Sequence, residues 1–220
     1  LTHWPKNDEP PGPNGKHLDF KEMVEEMDRQ VGKLTTTLDL LGLRENTLIL
    51  FTGDNGTPTN VTSIIHGKKL KGGKAKLTDA GTRVPLAIRW PNGLANPGRA
   101  VKSFVNLSDL ASTFLEAAGL RPPQMMTAVS FMDVFANKPK VARASAYIAM
   151  ERHDGCRKGG KGFPCRAIRT KDFLYIKNYE PTRWPAGNPD REFCARYIPF
   201  GEVDSSPTKT LIMENKDRPG

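Results

Sequence analysis

Thr47-Leu-Ile-Leu-Phe-Thr52 is a short, nearly continuous apolar run that stops at Gly53-Asp54-Asn55-Gly56. A run of this length, bounded by a polar glycine turn, is the pattern of a strand covered on both faces. Ahead of it Val24, Met27, Val31, Leu34, Leu38 and Leu41 recur at alternating spacings of three and four. That is one apolar stripe, read as core, on a helix of about six turns that stops near Gly42. Helix, buried strand and polar glycine loop in succession predict an α/β sheet.

A second buried strand is predicted at residues 84–90. A second helix should run from Ser108, its N-cap, to Gly119, its C-terminal glycine, with Leu110, Phe114, Leu115 and Ala118 as its core face. From about Ala144 the pattern changes to short strands, at residues 146–150, 166–169 and 173–178, with Thr170-Lys-Asp172 as a tight connection. These predict antiparallel pairing in a small C-terminal subdomain at residues 144–220, set apart from residues 1–143. Beyond Trp184 the chain is rich in Pro, Gly and charge and should wrap the surface without a core of its own.

No apolar run approaches the ~20 residues of a membrane-spanning helix, so no membrane partner is expected. The 33 basic residues outnumber the 24 acidic ones, for a net charge of +9, which favours an anionic partner. The basic residues are scattered, and the densest group, Lys68, Lys69, Lys71, Lys74 and Lys76, is interleaved with glycines. A sulfated or phosphorylated substrate suits this field, and nucleic acid is not expected. Cys156, Cys165 and Cys194 form no C-x-x-C pair; they leave room for one bridge and leave the redox compartment open.

The chemistry should lie where the first buried strand ends, because α/β sheets place ligands at the carboxyl ends of their strands. Asp54 and Asn55 sit there. A carboxylate beside a side-chain carbonyl offers two hard oxygens to Ca²⁺ or Mg²⁺. Asp-Asn-Gly is also a common tight-turn sequence, and on these residues alone the turn is the better reading.

Asp54-Asn-Gly56 is followed in order by Leu70-Lys-Gly-Gly-Lys74, Thr78-Asp-Ala-Gly81, Arg83-Val-Pro-Leu86 and Trp90-Pro91. This ordered series resembles the sulfatases. Asp79-Ala80-Gly81 stands where the family commonly has Glu-Gly-Gly. Met27-Asp28 with Val31-Gly32 and Leu107-Ser-Asp-Leu110 through Gly119-Leu120 match the helices on either side of the core sheet. Glu151-Arg152-His153, Arg166-Ala-Ile-Arg169, Tyr175-Ile-Lys-Asn178 and Arg183-Trp-Pro-Ala-Gly187 resemble the C-terminal subdomain of bacterial heparan N-sulfatase-like enzymes.

The resemblance implies part of an alkaline phosphatase-like sandwich, a mixed sheet flanked by helices, with a small antiparallel C-terminal subdomain. It implies that Asp54 and Asn55 ligate a divalent cation, Ca²⁺ in preference to Mg²⁺, and that Lys74 contacts a sulfate oxygen. It places His3 near the leaving oxygen as a proton donor and His153 within reach of the substrate. A sulfated small molecule or glycan is the implied substrate, and a periplasmic, secreted or lysosomal setting the implied location.

Sulfatases take their nucleophile, a formylglycine, from Cys/Ser-x-Pro-x-Arg, and no such pentapeptide occurs here. The expectation is therefore a portion of a sulfate-ester or sulfamate hydrolase that works with the remainder of its own catalytic domain. The alternatives are a truncated homologue that binds anions or a partner without catalysis, and a phosphoesterase of the same superfamily.

Overall fold

The computed structural model describes residues 18–152, 154–183, 186–190, 194, 197–203 and 206–215. Helix α1 spans Leu18–Leu40. It ends where Gly42 takes φ +68, a left-handed turn that lets the Leu43 amide donate to the Leu38 carbonyl at 2.9 Å. Strand β1, Ile49–Thr52, follows and pairs antiparallel with β4, Leu86–Arg89, so that Ile49 faces Arg89 and Thr52 faces Leu86.

Between these partners lie the hairpin of β2, Thr62–Ile65, and β3, Lys68–Lys71, and then the single turn α2, Asp79–Thr82. His66 and Gly67 both have positive φ, 48 and 74, the geometry that a two-residue hairpin turn requires. Helices α3, Asp109–Ala117, and α4, Met132–Phe135, come next. Strands β5, Ser145–Met150, β6, Cys165–Thr170, and β7, Leu174–Asn178, then form an antiparallel sheet in chain order. The exposed tail helix α5, Pro207–Glu214, is capped by Ser206, which accepts the Lys209 amide at 3.1 Å.

The C-terminal strands fall within a residue or so of their expected bounds, with the Thr170 amide donating to Phe173 O across the tight connection. Three expectations need correction. The α1 stripe is not core: Val24 and Leu34 are exposed and Met27, Val31 and Leu38 only half-buried. Apolar periodicity tells which face seeks cover and not whether the cover lies in this chain. Strand β1 is half-buried along its length rather than enclosed, because one neighbouring strand covers little of it.

The third correction concerns α3, whose buried face is Asp109, Ser112 and Thr113 rather than the apolar set. Ser108 caps nothing with its side chain. Asp109 instead binds amides outside the helix, accepting those of Asn106 and Val129 at 3.2 Å each.

Two apolar clusters organise the chain. Trp90, Phe131 and Phe135 meet edge to face, with ring centroids 6.3 and 5.3 Å apart. Leu77, Phe163, Cys165 and Ala167 are buried together beneath Ile148, Met150 and Leu174. Leu77 belongs to the loop after β3, so this second cluster seats that loop under the C-terminal sheet. No described helix is long and apolar enough to cross a membrane.

Candidate functional site

Asp54 and Asn55 leave the end of β1 on a loop pinned at both ends by backbone. The Gly53 amide donates to Pro85 O at 3.4 Å, extending the β1–β4 ladder, and the Gly56 amide donates to Gly81 O at 2.9 Å. Lys74 is held from the same side, its amide donating to Thr57 O at 3.0 Å. The loop after β3 is further fixed by Gly72 N to Val61 O, 2.8 Å, and Lys76 N to Gly73 O, 2.9 Å.

These contacts work because three glycines meet. A Cβ on Gly56 would fall on the Ala80 carbonyl, one on Gly81 on the Lys76 carbonyl, and one on Gly73 would sit 2.6 Å from Ala80 Cβ. All three glycines are buried. The segments 53–58, 72–77 and 78–83 therefore touch backbone to backbone, and only glycine allows that approach. Asp54 and Lys74 stay exposed above the junction and Asn55 half-buried. Ala75, next to Lys74, is a non-glycine residue at φ 67, a left-handed conformation that costs about 1–2 kcal/mol. Strain of this kind is commonly retained where a loop has a task.

The third segment is tied to the C-terminal sheet. Arg169 of β6 reaches Asp79 with a two-pronged bridge, Nε to Oδ1 at 2.8 Å and Nη2 to Oδ2 at 3.1 Å. The hydrogen bonds from Arg169 hold the Asp79 carboxyl below its ordinary range, against a smaller opposing effect of burial. Because the folded pKa lies below the unfolded value of about 3.9, the bridge stabilises the fold above that pH and is lost as pH falls through the folded value. Asp79→Asn should accordingly lower Tm slightly at pH 6, with the bridge worth at most ~1 kcal/mol at this exposure. The gap from the parent should narrow as pH falls from the unfolded value through the lower folded one, and an equal gap at both ends would refute the assignment.

The structure thus brings Asp54, Asn55 and Lys74 onto one scaffold. His3 and His153 lie outside the described residues. The sequence reading missed the glycine junction and the Asp79–Arg169 bridge. The glycine spacing was visible in the motifs, whereas nothing local links residues 90 positions apart. Asp54 and Asn55 offer hard oxygens that fit a cation of the Ca²⁺ or Mg²⁺ kind by donor chemistry. They are two of the donors such an ion needs, and no three His, Cys, Asp or Glu side chains cluster among the described residues.

A family model for Sulfatase matches residues 5–120, and one for N-sulphoglucosamine sulphohydrolase, C-terminal, matches residues 73–185. An ulvan-active sulfatase of Formosa agariphila is 33% identical over 193 residues, covering 88% of this chain and 27% of that protein. Steryl-sulfatase of Mus musculus is 36% identical over 122 residues, covering 51% of this chain and 19% of that protein. The chain thus spans about a quarter or less of the length of these curated relatives. Among solved structures, a protein in complex with its substrate D-glucosamine-2-N,6-O-disulfate superposes with a TM-score of 0.51 at 22% identity, covering 89% of this chain and 38% of that one.

Proposed function

Because the chain belongs to the sulfatase family and has its α/β, alkaline phosphatase-like fold, we propose that it forms part of a hydrolase of sulfate esters or sulfamates. In this reading residues 1–143 belong to the catalytic domain and residues 144–220 form a small subdomain. The observation that carries it is the glycine junction, which holds the Asp54–Asn55 loop and the backbone of Lys74 on one rigid base.

Asp54 and Asn55 would hold a divalent cation, Ca²⁺ in preference to Mg²⁺. When bound, such an ion supplies positive charge that polarises a sulfate oxygen. Lys74 adds a second positive charge on the same base, suited to an oxygen that gains charge as the ester bond breaks. His3 is assigned proton donation to the leaving oxygen and His153 contact with the substrate, both by family resemblance. The nucleophile, a formylglycine, is assigned to a part of the longer protein outside these residues. A basic chain of +9 suits a sulfated glycan or small molecule, in a periplasmic, secreted or lysosomal setting.

The test is sulfate release from an aryl sulfate by the full-length protein, with and without a chelator. Lys74→Ala should lower kcat/KM by about 10²–10³-fold, the effect of removing one donor to a developing anion. Release that survives the substitution unchanged would sink the role of Lys74. Preferential cleavage of a phosphate monoester would favour the phosphoesterase, and no hydrolysis at all the non-catalytic binder.

A further inference from the structure

Cys156 and Cys194 lie 38 positions apart in a region the catalytic reading does not use, yet both are almost wholly buried, at 1% and 3% exposure. They meet across one glycine. A Cβ built on Gly201 would overlap Cys194 Sγ and lie 3.0 Å from Cys156 Cβ and 3.4 Å from Cys194 Cβ. Gly187 closes the other side, its Cβ position being 2.6 Å from Cys156 Sγ. Two glycines have thus cleared room for two sulfurs.

The backbone around them is locked in register. Asn188 N donates to Cys156 O at 2.9 Å, Phe200 N to Asn188 O at 2.8 Å and Glu202 N to Ala186 O at 3.0 Å. The buried pair Arg157–Glu202, 2.8 Å apart, adds a fixed ionic contact beside them. The third cysteine is occupied elsewhere, as Cys165 Sγ donates to Asn178 Oδ1 at 2.8 Å inside the Leu77–Phe163 cluster.

We propose that Cys156 and Cys194 form a disulfide in the mature protein, fastening the Pro- and Gly-rich tail to the segment between β5 and β6. All three cysteines are free thiols here. A disulfide needs Cβ atoms about 3.8 Å apart, and both Cβ atoms already pack against the same glycine. The oxidant is a disulfide of the glutathione class. One cysteine thiolate attacks it and releases one glutathione thiol; the second cysteine then displaces the other glutathione, and both cysteine protons end on glutathione.

Burial pushes the Cys156 thiol up to about 11, with the Glu202 charge adding to it. Such a thiol is a poor nucleophile, which fits a structural bridge and not a catalytic cysteine. Occupancy in the cell rests on the exported location proposed above, since reducing compartments keep thiols open. The pairing itself does not depend on it.

The experiment separates the two. Reduced full-length protein is equilibrated with oxidised glutathione, alkylated, digested without reductant and mapped by mass. The expected product is a Cys156–Cys194 linked peptide lighter by two hydrogens, with Cys165 alkylated, and the link should persist in Cys165→Ser. The proposal is overturned by a Cys156–Cys165 link, by glutathione remaining on either residue at equilibrium, or by three alkylated cysteines. Linkage in the tube with open thiols in protein taken from its native compartment would retain the site and remove the exported location instead.

Discussion

Asp54→Ala in the full-length protein should lower kcat/KM for sulfate-ester hydrolysis by at least ~10³-fold while moving Tm by no more than about 2 °C. The two halves of this expectation have separate causes. The Asp54 side chain is exposed, and its loop is held by the Gly53–Pro85 and Gly56–Gly81 backbone bonds, none of which involves the carboxylate. Deleting it therefore leaves the anchors intact. In the proposed reading, function would depend on the carboxylate for the opposite reason, because it is the only formal negative charge on the loop from Gly53 to Gly56.

Asp54→Asn keeps an oxygen and loses the charge, so it should fall between parent and alanine variant. Calorimetric titration with Ca²⁺ supplies a readout independent of turnover, in which parent protein binds and Asp54→Ala binds at least tenfold more weakly. Equal Ca²⁺ affinity in both proteins would remove Asp54 from the metal site whatever the kinetics.

Asp54 and Asn55 were legible as candidates in the sequence because they end a buried-strand pattern, where α/β folds collect ligands. Less legible was what holds them. Gly56, Gly73 and Gly81 read as letters of a motif, and only their meeting in space reveals that each is there for lack of a side chain. The elements α1, β1 and β5 to β7 follow from period and punctuation. Burial follows less well, because a stripe such as Val24 to Leu41 records a preference for cover without naming the covering element. Helix α3 failed in the other direction: Leu110 and Phe114 suggested its core face, but Asp109 and Thr113 face inward because each satisfies backbone from distant segments. Polar burial of that kind has no local signature.

That same residue carries the largest expected loss of stability. Asp109→Ala in the full-length protein should cost about 3–5 kcal/mol, the range for breaking a buried ion pair by removing one partner. The Asp109 carboxylate lies 3.2 Å from Arg143 Nη1, with the two side chains 8% and 6% exposed. Arg143 Nη2 is spoken for by Val129 O and Ser130 O, at 3.1 and 2.6 Å, and its Nε has no partner. Without Asp109 the buried guanidinium keeps two carbonyls and the face of Phe131, 5.9 Å away, but loses the carboxylate it contacts directly.

The Asn106 and Val129 amides lose their acceptor in the same step, which frees the start of α3 and the segment leading to α4. Asp109→Asn, whose single carbonyl oxygen can still accept one of those two amides, should cost less than alanine. Pairing Asp109→Leu with Arg143→Met should cost less than the two single changes together, since an apolar pair leaves no stranded charge. Urea unfolding of the parent and these five variants reads the outcome. A loss below ~1 kcal/mol for Asp109→Ala would mean that water reaches Arg143 and that the pair is a surface bridge in all but position.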